Sequence, residues 1–279
     1  MIANSYTFKV GAFDCTVVSD GVFLMGRDRF LRRYPDATEA DYRQAFADIG
    51  LSFDEAASWF NVLVVKMGAH TVLVDAGEGG KPHGGLLLES LRLAQIEPEA
   101  ITHVILTHSH GDHVLGLLND DHQPVFPNAT YVLSKPELPF WQAAMAAGAD
   151  AQRPILDMIE QQGLRLIDMD EASILPGLSA RPIPGHTPGQ IALLFESGDE
   201  RLLHAADLLH SPIQFAHPQW SATYDADTRQ SVPTRWQTLN WAADEGLLTL
   251  FYHLPFPGVG HVRQASQGFS WHPIRHEQP

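Results

Sequence analysis

Apolar and polar positions divide the chain into two stretches of similar pattern, each a series of short strands followed by helices. Residues 6–25 alternate as strands do, with a turn expected at 19–21, and the apolar segment 22–26 indicates either core or a loop over a pocket. Apolar runs bounded by turn residues predict further strands at 61–67, 70–75, 103–107, 130–133, 165–167, 180–183, 190–195, 201–204 and 248–253. The tail, 260–271, is long enough for one more strand.

Helical periods separate these strands. Thr38 supplies an N-cap before an acidic first turn, and Tyr42 and Phe46 follow on one face of the predicted helix. Other helices are predicted at 86–96, 136–147, 154–162 and 225–245. The result is two α/β halves, each with its sheet inside and its helices outside, which gives four layers. No linker composition separates the halves, so residues 1–279 are expected to form one domain with an N-terminal arm of about 60 residues.

The charge balance narrows the choice of partners. Thirty-three acidic residues against 18 Lys and Arg give a formal net charge of −15, which argues against nucleic acid and anionic membranes. No apolar stretch approaches the ~20 residues of a membrane span. Residues 1–10 have no basic start followed by an apolar run, so the cytoplasm is the expected location. The one cysteine, Cys15, lies in a predicted strand and is interpreted as a buried structural thiol.

A dense group of metal-ligand side chains follows the apolar run 104–106. His108, His110, Asp112 and His113 lie within six residues, at a predicted strand-to-helix turn. Alternate residues at a strand end point the same way, so His108 and His110 are expected to converge, and the tighter turn lets Asp112 and His113 face a neighbouring point. Imidazole and carboxylate donors at this density favour zinc or another first-row divalent metal over a polar helix cap.

Three later segments repeat this arrangement of a ligand-type residue at the end of a strand. His186 lies in the tightly fixed turn Pro184-Gly185-His186-Thr187-Pro188-Gly189, Asp207 follows the strand 201–204, and His253 closes the apolar strand 248–253. A carboxylate such as Asp207 has two oxygens and can bridge two metals. The glycine-rich loop after Asp75 is not a phosphate loop, because it lacks the Gly-Lys-Ser/Thr ending.

In the order and spacing of these seven residues the chain resembles the metallo-β-lactamase superfamily, from about Tyr6 to Trp271. The resemblance implies a four-layer αβ/βα sandwich with two divalent ions per chain, zinc before manganese, iron or cobalt, and a homodimer. It implies that the first metal is held by His108, His110 and His186, the second by Asp112, His113 and His253, and that Asp207 bridges them. It also implies that Asp75 orients the ligand loop from behind, as imidazole ligands require.

Within the superfamily the chain is most similar to methyl-parathion-hydrolase-like and acyl-homoserine-lactone-lactonase-like enzymes. The residues that carry this resemblance are Val18-Ser19-Asp20-Gly21, the long arm before Asn61, Asp207-Leu208-Leu209-His210 with His217-Pro218, and the segment 253–261. It implies a hydrolase in which a hydroxide shared by two metals attacks a lactone or ester carbonyl or a phosphotriester, with Asp112 moving a proton. β-Lactamase activity is disfavoured, because true β-lactamases use Cys where Asp207 stands.

The substrate depends on the walls of the pocket. Candidate wall residues are Phe23, Leu24, Met25, Phe140, Trp141, Phe215, His217 and Trp220. No pair of Arg or Lys residues is evidently placed for a carboxylate or phosphate, so the expected substrate is a small, apolar and uncharged molecule. Two enzymatic alternatives stay open, a glyoxalase II-like thioesterase and an iron-dependent persulfide dioxygenase. A non-catalytic protein on this fold would be expected to have lost ligands, and none is lost.

Overall fold

The structure is a computed structural model that describes residues 4–80, 84–148 and 150–274. Residues 1–3, which are part of the N-terminal stretch 1–10 discussed above, lie outside these ranges. Its first sheet has seven strands in chain order. The pairing is antiparallel from the first strand to the fourth and parallel from the fourth to the seventh. The strands are β1 (Ser5–Val10), β2 (Phe13–Leu24), β3 (Ala57–Met67), β4 (His70–Val74), β5 (His103–Ile105), β6 (Thr130–Ser134) and β7 (Leu164–Ile167).

The second sheet has six strands, all from the C-terminal half. They are β8 (Leu178–Pro182), β9 (Ile191–Ser197), β10 (Glu200–His204), β11 (Leu248–Leu250), β12 (Val259–Gln264) and β13 (Phe269–Pro273). Their order is β13-β12-β11-β10-β9-β8. Only β10 and β11 are parallel, because the long helix between them carries the chain back across the sheet.

The helices cover the outer faces of the two sheets. Six belong to the N-terminal half: α1 (Arg27–Arg33), α2 (Glu39–Asp48), α3 (Leu87–Leu93), α4 (Gly111–Val114), α5 (Glu137–Ala146) and α6 (Arg153–Gln162). The seventh, α7 (Thr228–Asp244), packs on the second sheet. The cap predicted at Thr38 is confirmed, since Thr38 and Asp41 form a reciprocal capping box at the start of α2. None of the helices in the described ranges is long and apolar enough to cross a membrane.

Strand alternation explains the four layers. On β2, Cys15 and Val17 point into a core shared by both sheets, where they meet residues such as Leu193 and Leu202. Val18 points the other way, into a core formed with the helices of the first half. A third apolar cluster lies between the second sheet and α7. The predicted four-layer α/β sandwich is therefore confirmed, and Cys15 is fully buried as predicted.

Three sequence predictions about the strands are wrong. The turn expected at 19–21 does not form: β2 continues through a bulge there, because the buried Asp20 side chain accepts hydrogen bonds from the backbone of distant residues, Glu78, Gly85 and Leu87. The tail forms two strands rather than one, β12 and β13. The strand predicted at 248–253 also stops at Leu250, and the chain then turns so that His253 leaves the sheet.

Candidate metal centre

The predicted ligands of the first metal come together at one edge of the sandwich. His108 and His110 follow β5, and His186 lies in the loop between β8 and β9. His110 Nδ1 lies 3.2 Å from His108 Nε2 and 2.8 Å from His186 Nε2. The convergence of His108 and His110 expected from strand geometry is thus observed, and one nitrogen of each ring points at a common centre.

The predicted ligands of the second metal lie beside the first group. His253 Nε2 is 3.4 Å from Asp112 Oδ2, and His113 Nε2 is 3.9 Å from the same oxygen. Within this group the ligand atoms are all within 4.8 Å of one another, as they are within the first group. The two groups are built from both halves of the sandwich.

Asp207 lies between the two groups. Its Oδ2 is 3.0 Å from His253 Nε2 and 3.4 Å from His186 Nε2, and its Oδ1 is 3.2 Å from His113 Nε2. Within the ranges that the structure describes, neither Asp207 Oδ1 nor His113 Nε2, both buried, meets a partner in hydrogen-bond geometry, although they lie 3.2 Å apart. Buried polar atoms rarely stay unsatisfied, and a cation between this carboxylate and the imidazoles would satisfy them. The residues present therefore fit two divalent metal ions, with Asp207 within reach of both.

His210 joins the site without having been predicted as a site residue. Its Nε2 is 3.2 Å from Asp207 Oδ2, and His186, Asp207 and His210 form another group whose ligand atoms lie within 4.8 Å of one another. The segment that contains it was noted only for its family likeness. The spacing Asp-x-x-His after a strand was the available signal, because a single helical turn over 206–208 brings positions three apart to the same side.

Asp75, to which the resemblance gave the role of orienting the ligand loop, lies against Thr107 and His113, the first and last residues of the motif. It accepts hydrogen bonds from the Thr107 backbone N–H at 2.8 Å and from the Thr107 hydroxyl at 2.9 Å. His113 Nδ1 donates to Asp75 Oδ2 at 2.8 Å. This contact leaves Nε2 of His113 as the nitrogen directed at the metal groups.

Asp225 and Ser58 play the same part for two other imidazoles. Asp225 Oδ1 accepts a hydrogen bond from His186 Nδ1 at 2.9 Å, and the other oxygen of Asp225 contacts Ser231 and the buried guanidinium of Arg235. Ser58 Oγ lies 2.8 Å from His253 Nδ1. Each contact turns the remaining ring nitrogen toward Asp207. Neither residue carries a local sequence signal, because both contacts join distant segments.

Glu137 ties two of the ligand loops together. Its fully buried carboxylate accepts hydrogen bonds from Ser109 N–H and Oγ on one loop and from Thr187 Oγ1 and Gly189 N–H on the other. The sequence predicted a helix over 136–147 but gave Glu137 no part in the site. A carboxylate that accepts four hydrogen bonds at the start of a helix fixes the positions of the His110 loop and the His186 loop relative to each other.

Burial and neighbouring charges set the protonation of the imidazoles. Burial lowers the pKa of His110 to about 3 and that of His210 to about 4, so both rings are neutral at pH 7. Burial also disfavours the charged form of His113, but the carboxylates of Asp207 and Asp75 outweigh it and raise the pKa of this group well above its usual range. A metal binds the neutral form of an imidazole, so binding at His113 would displace the proton that the two carboxylates stabilise.

A cavity of about 410 Å³ opens over the metal groups. Asp112, His110 and His253 line its floor. Its walls include Phe23, Phe60, Leu115 and Tyr224, and it is also lined by two arginines of α1, Arg29 and Arg33. The expectation that no pair of basic residues faces the substrate is therefore wrong. The signal was missed because α1 is far from the motifs in sequence.

Most of the pocket residues proposed from the sequence do not line this cavity. Phe23 does, and the Phe140 ring lies 6.3 Å from the ring of His110. Leu24, the next residue after Phe23 on a strand, points outward and is 71% exposed. The other five are used in packing: Met25 and Trp141 are buried in the helix-side core, Phe215 packs against Phe251 and Trp271, and His217 stacks on Trp220.

The sequence profile of the metallo-beta-lactamase superfamily matches residues 61–235 of the chain. The chain belongs to the metallo-β-lactamase superfamily, as its seven ligand-type residues predicted, and its fold and site are those of a metal-dependent hydrolase. Among solved structures it is similar to AidC, a dizinc quorum-quenching lactonase in complex with a product, with 27% identity and a TM-score of 0.88 over 99% of each chain.

Two other proteins extend this comparison. The hydrolase AbOPH of the beta-lactamase superfamily shares 25% identity with a TM-score of 0.90 over the full length of both chains. The uncharacterized protein YobT of Bacillus subtilis (strain 168) is 28% identical over 181 residues, which are 60% of this chain and 73% of that protein. The likeness to AbOPH agrees with the family assignment.

Proposed function

We propose that this protein is a two-metal hydrolase that opens lactones or cleaves carboxylic esters. The observation that carries the proposal is the two groups of ligand-type side chains, one around His110 and one around Asp112, with Asp207 between them at the floor of a cavity of about 410 Å³. Likeness to a dizinc lactonase over 99% of the chain supports the choice of a lactone or ester among possible substrates. The same floor would accept a phosphotriester, which the test below includes.

The metals would be held by the residues that the sequence singled out. His108, His110 and His186 would hold one ion, Asp112, His113 and His253 the other, and Asp207 would contact both. His210 is an additional donor next to Asp207. Zinc is the first choice, because the donors are imidazoles and carboxylates in a cysteine-free site; manganese, iron and cobalt accept the same donors. When bound, two such ions acidify water and polarise a substrate carbonyl.

Asp112 is the residue placed to handle the proton. Burial alone would raise the pKa of its carboxyl, but the imidazoles of His113 and His253 lower it, so Asp112 is ionised at neutral pH. Its side chain is 27% exposed and faces the cavity, whereas Asp207 is almost fully buried. Asp112 would therefore accept a proton from the attacking water and return it to the leaving alcohol.

The walls of the cavity would orient the acyl part of the substrate. Phe23, Phe60 and Tyr224 offer apolar surface to an acyl chain. The ring of Tyr224 lies 4.8 Å from that of His210, so it borders the metal groups directly. These rings would exclude bulk water from the scissile carbonyl and strengthen the electrostatic interactions at the floor.

Metal analysis combined with a small substrate panel tests the proposal. The panel contains a long-chain acyl-homoserine lactone, a simple aryl ester, methyl paraoxon and a glutathione thioester. Two metal ions per chain and turnover of the lactone or the ester are expected. Turnover of the glutathione thioester alone would contradict the proposal in favour of a thioesterase, and turnover of methyl paraoxon alone would move the function to phosphotriesters. A single iron with no hydrolysis would point to a dioxygenase.

A further inference from the structure

Two arginines of α1 face the cavity from successive turns of the helix. Arg29 and Arg33 are four residues apart, so their side chains lie on the same helix face, and both line the cavity whose floor is the metal centre. No other Lys or Arg lines the cavity among the residues that the structure describes. In a chain with a net charge of −15, a pair of cations at one cavity is a specific placement.

Aromatic rings, rather than carboxylates, hold these guanidinium groups. Arg29 Cζ lies 4.5 Å above the centre of the Phe23 ring, and Arg33 Cζ lies 5.6 Å from the same ring and 5.4 Å from that of Tyr224. Arg27, on the same helix, is ion-paired with Asp28 and Glu39 instead. Neither Arg29 nor Arg33 forms an ion pair within the described ranges. Stacking on a ring fixes a guanidinium while leaving its N–H edge free for another acceptor.

The guanidinium pair is close to the metal centre but separate from it. Tyr224 is near both: its ring lies 5.4 Å from Arg33 Cζ and 4.8 Å from the ring of His210. A substrate whose carbonyl lies on the floor of the cavity would therefore reach the two arginines with a group several bonds away. Planar guanidinium groups bind planar oxyanions through paired hydrogen bonds.

From this geometry we propose that Arg29 and Arg33 form a subsite for an oxyanion, a carboxylate or a phosphate, at the end of the substrate distant from the scissile bond. The inference rests on the proposed lactone or ester hydrolysis and narrows it to substrates with an anionic tail. It replaces the expectation of an entirely apolar and uncharged substrate.

Matched esters test the subsite by activity. The substrates are p-nitrophenyl hexanoate, mono-p-nitrophenyl adipate and the p-nitrophenyl ester of 6-phosphonohexanoate, which differ in the distal group. The zinc-loaded protein is expected to prefer an anionic ester in kcat/KM, and the Arg29→Ala/Arg33→Ala variant to lose about tenfold or more of that preference. Arg32→Ala removes one positive charge from the same helix outside the cavity and should keep the preference. The Arg29→Lys/Arg33→Lys variant should recover part of it.

Binding provides a readout that does not depend on catalysis. Calorimetry with the zinc-loaded protein compares adipic acid monoamide and its phosphonate analogue with hexanamide, which lacks the anion. Tighter binding of the carboxylate or of the phosphonate, lost in the Arg29→Ala/Arg33→Ala variant, supports the subsite and identifies the anion. Equal binding of all three, or an anion preference unchanged in that variant, overturns it and leaves the arginines as covers of Phe23. If no ester or lactone is hydrolysed, the proposed function fails while this comparison still decides the subsite.

Discussion

Asp225 accepts a hydrogen bond from His186 Nδ1 at 2.9 Å, and this contact fixes which nitrogen of His186 faces Asp207. The carboxylate is itself held by Ser231 and by the buried Arg235, which also donates to the backbone carbonyls of Leu208 and Pro218. Helix α7 thereby connects to the loop that carries Asp207 and to the imidazole opposite it. The buried ion pair between Asp225 and Arg235 therefore supports both His186 and the loop that carries Asp207.

Replacing Asp225 should weaken metal binding without unfolding the protein. In Asp225→Asn the side chain keeps one acceptor oxygen and loses its charge, so the hydrogen bond from His186 competes with those from Ser231 and Arg235 for that oxygen and weakens. Affinity for zinc should fall about 10–100-fold, the usual effect of removing a carboxylate that supports a histidine ligand. Competition with a chromophoric chelator measures it. Asp227→Asn, which changes the exposed cap of α7 two residues away, should leave the affinity unchanged; equal losses in both variants would contradict the assignment.

Removing the carboxylate of Asp207 should empty at least one metal position. Asp207 lies within 3.7 Å of four imidazoles through Oδ2 and contacts a fifth, His113, through Oδ1. Asp207→Ala is therefore expected to lower the metal content below two per chain and to abolish hydrolysis, as atomic absorption and a rate assay would show. Asp199→Ala, at an exposed turn, is the matched control. Two tightly bound ions in Asp207→Ala would refute a shared position.

Glu137→Gln should destabilise the fold more than a surface substitution does. Four donors converge on the buried carboxylate, and the amide nitrogen of Gln would face two of them. Leaving buried donors without acceptors costs about 1–3 kcal/mol. Urea unfolding of the metal-free protein measures this loss. The same change at the exposed Glu160 on α6 should shift the free energy of unfolding by less than about 0.5 kcal/mol. A similar loss of stability at both positions would contradict the role of Glu137 in joining the two ligand loops.

Asp20 should make stability depend on pH in an unusual direction. Burial raises the pKa of this carboxyl from 3.8 to about 6, against the opposing effect of three backbone N–H donors. Because the folded-state pKa is the higher one, the stabilisation is complete below about pH 4 and is lost as the pH rises through 6. The difference corresponds to about 3 kcal/mol.

The Asp20→Asn variant isolates this contribution. Asn destabilises the fold by a constant amount through its amide nitrogen, but it does not titrate. The decrease in the free energy of unfolding between pH 4 and pH 7 should therefore be about 3 kcal/mol smaller in the variant than in the unchanged protein. Denaturant unfolding at both pH values gives the comparison. Asp170→Asn, at an exposed position, should show the same pH dependence as the unchanged protein. Identical pH profiles for Asp20→Asn and the unchanged protein would show that Asp20 does not titrate in this range.

The sequence by itself determined the layers of the sandwich and the seven ligand-type residues. Strand alternation decides which side chains enter which core, and the motif residues converge because a strand end and a tight turn fix their directions locally. Asp112 and His113 needed only that turn. His186, Asp207 and His253 could be identified one by one because each follows shortly after the end of a strand, at Pro182, His204 and Leu250.

Only the tertiary structure decided what surrounds those ligands. Glu137, Asp225 and the arginines of α1 reach the site through contacts between segments far apart in the chain, and neither periodicity nor composition carries that information. An apolar side chain such as Trp141 is equally suited to a core and to a pocket wall, so the pattern could not tell which it would join. The metal chemistry follows from short-range geometry, whereas the shape and charge of the cavity depend on how the helices pack over it.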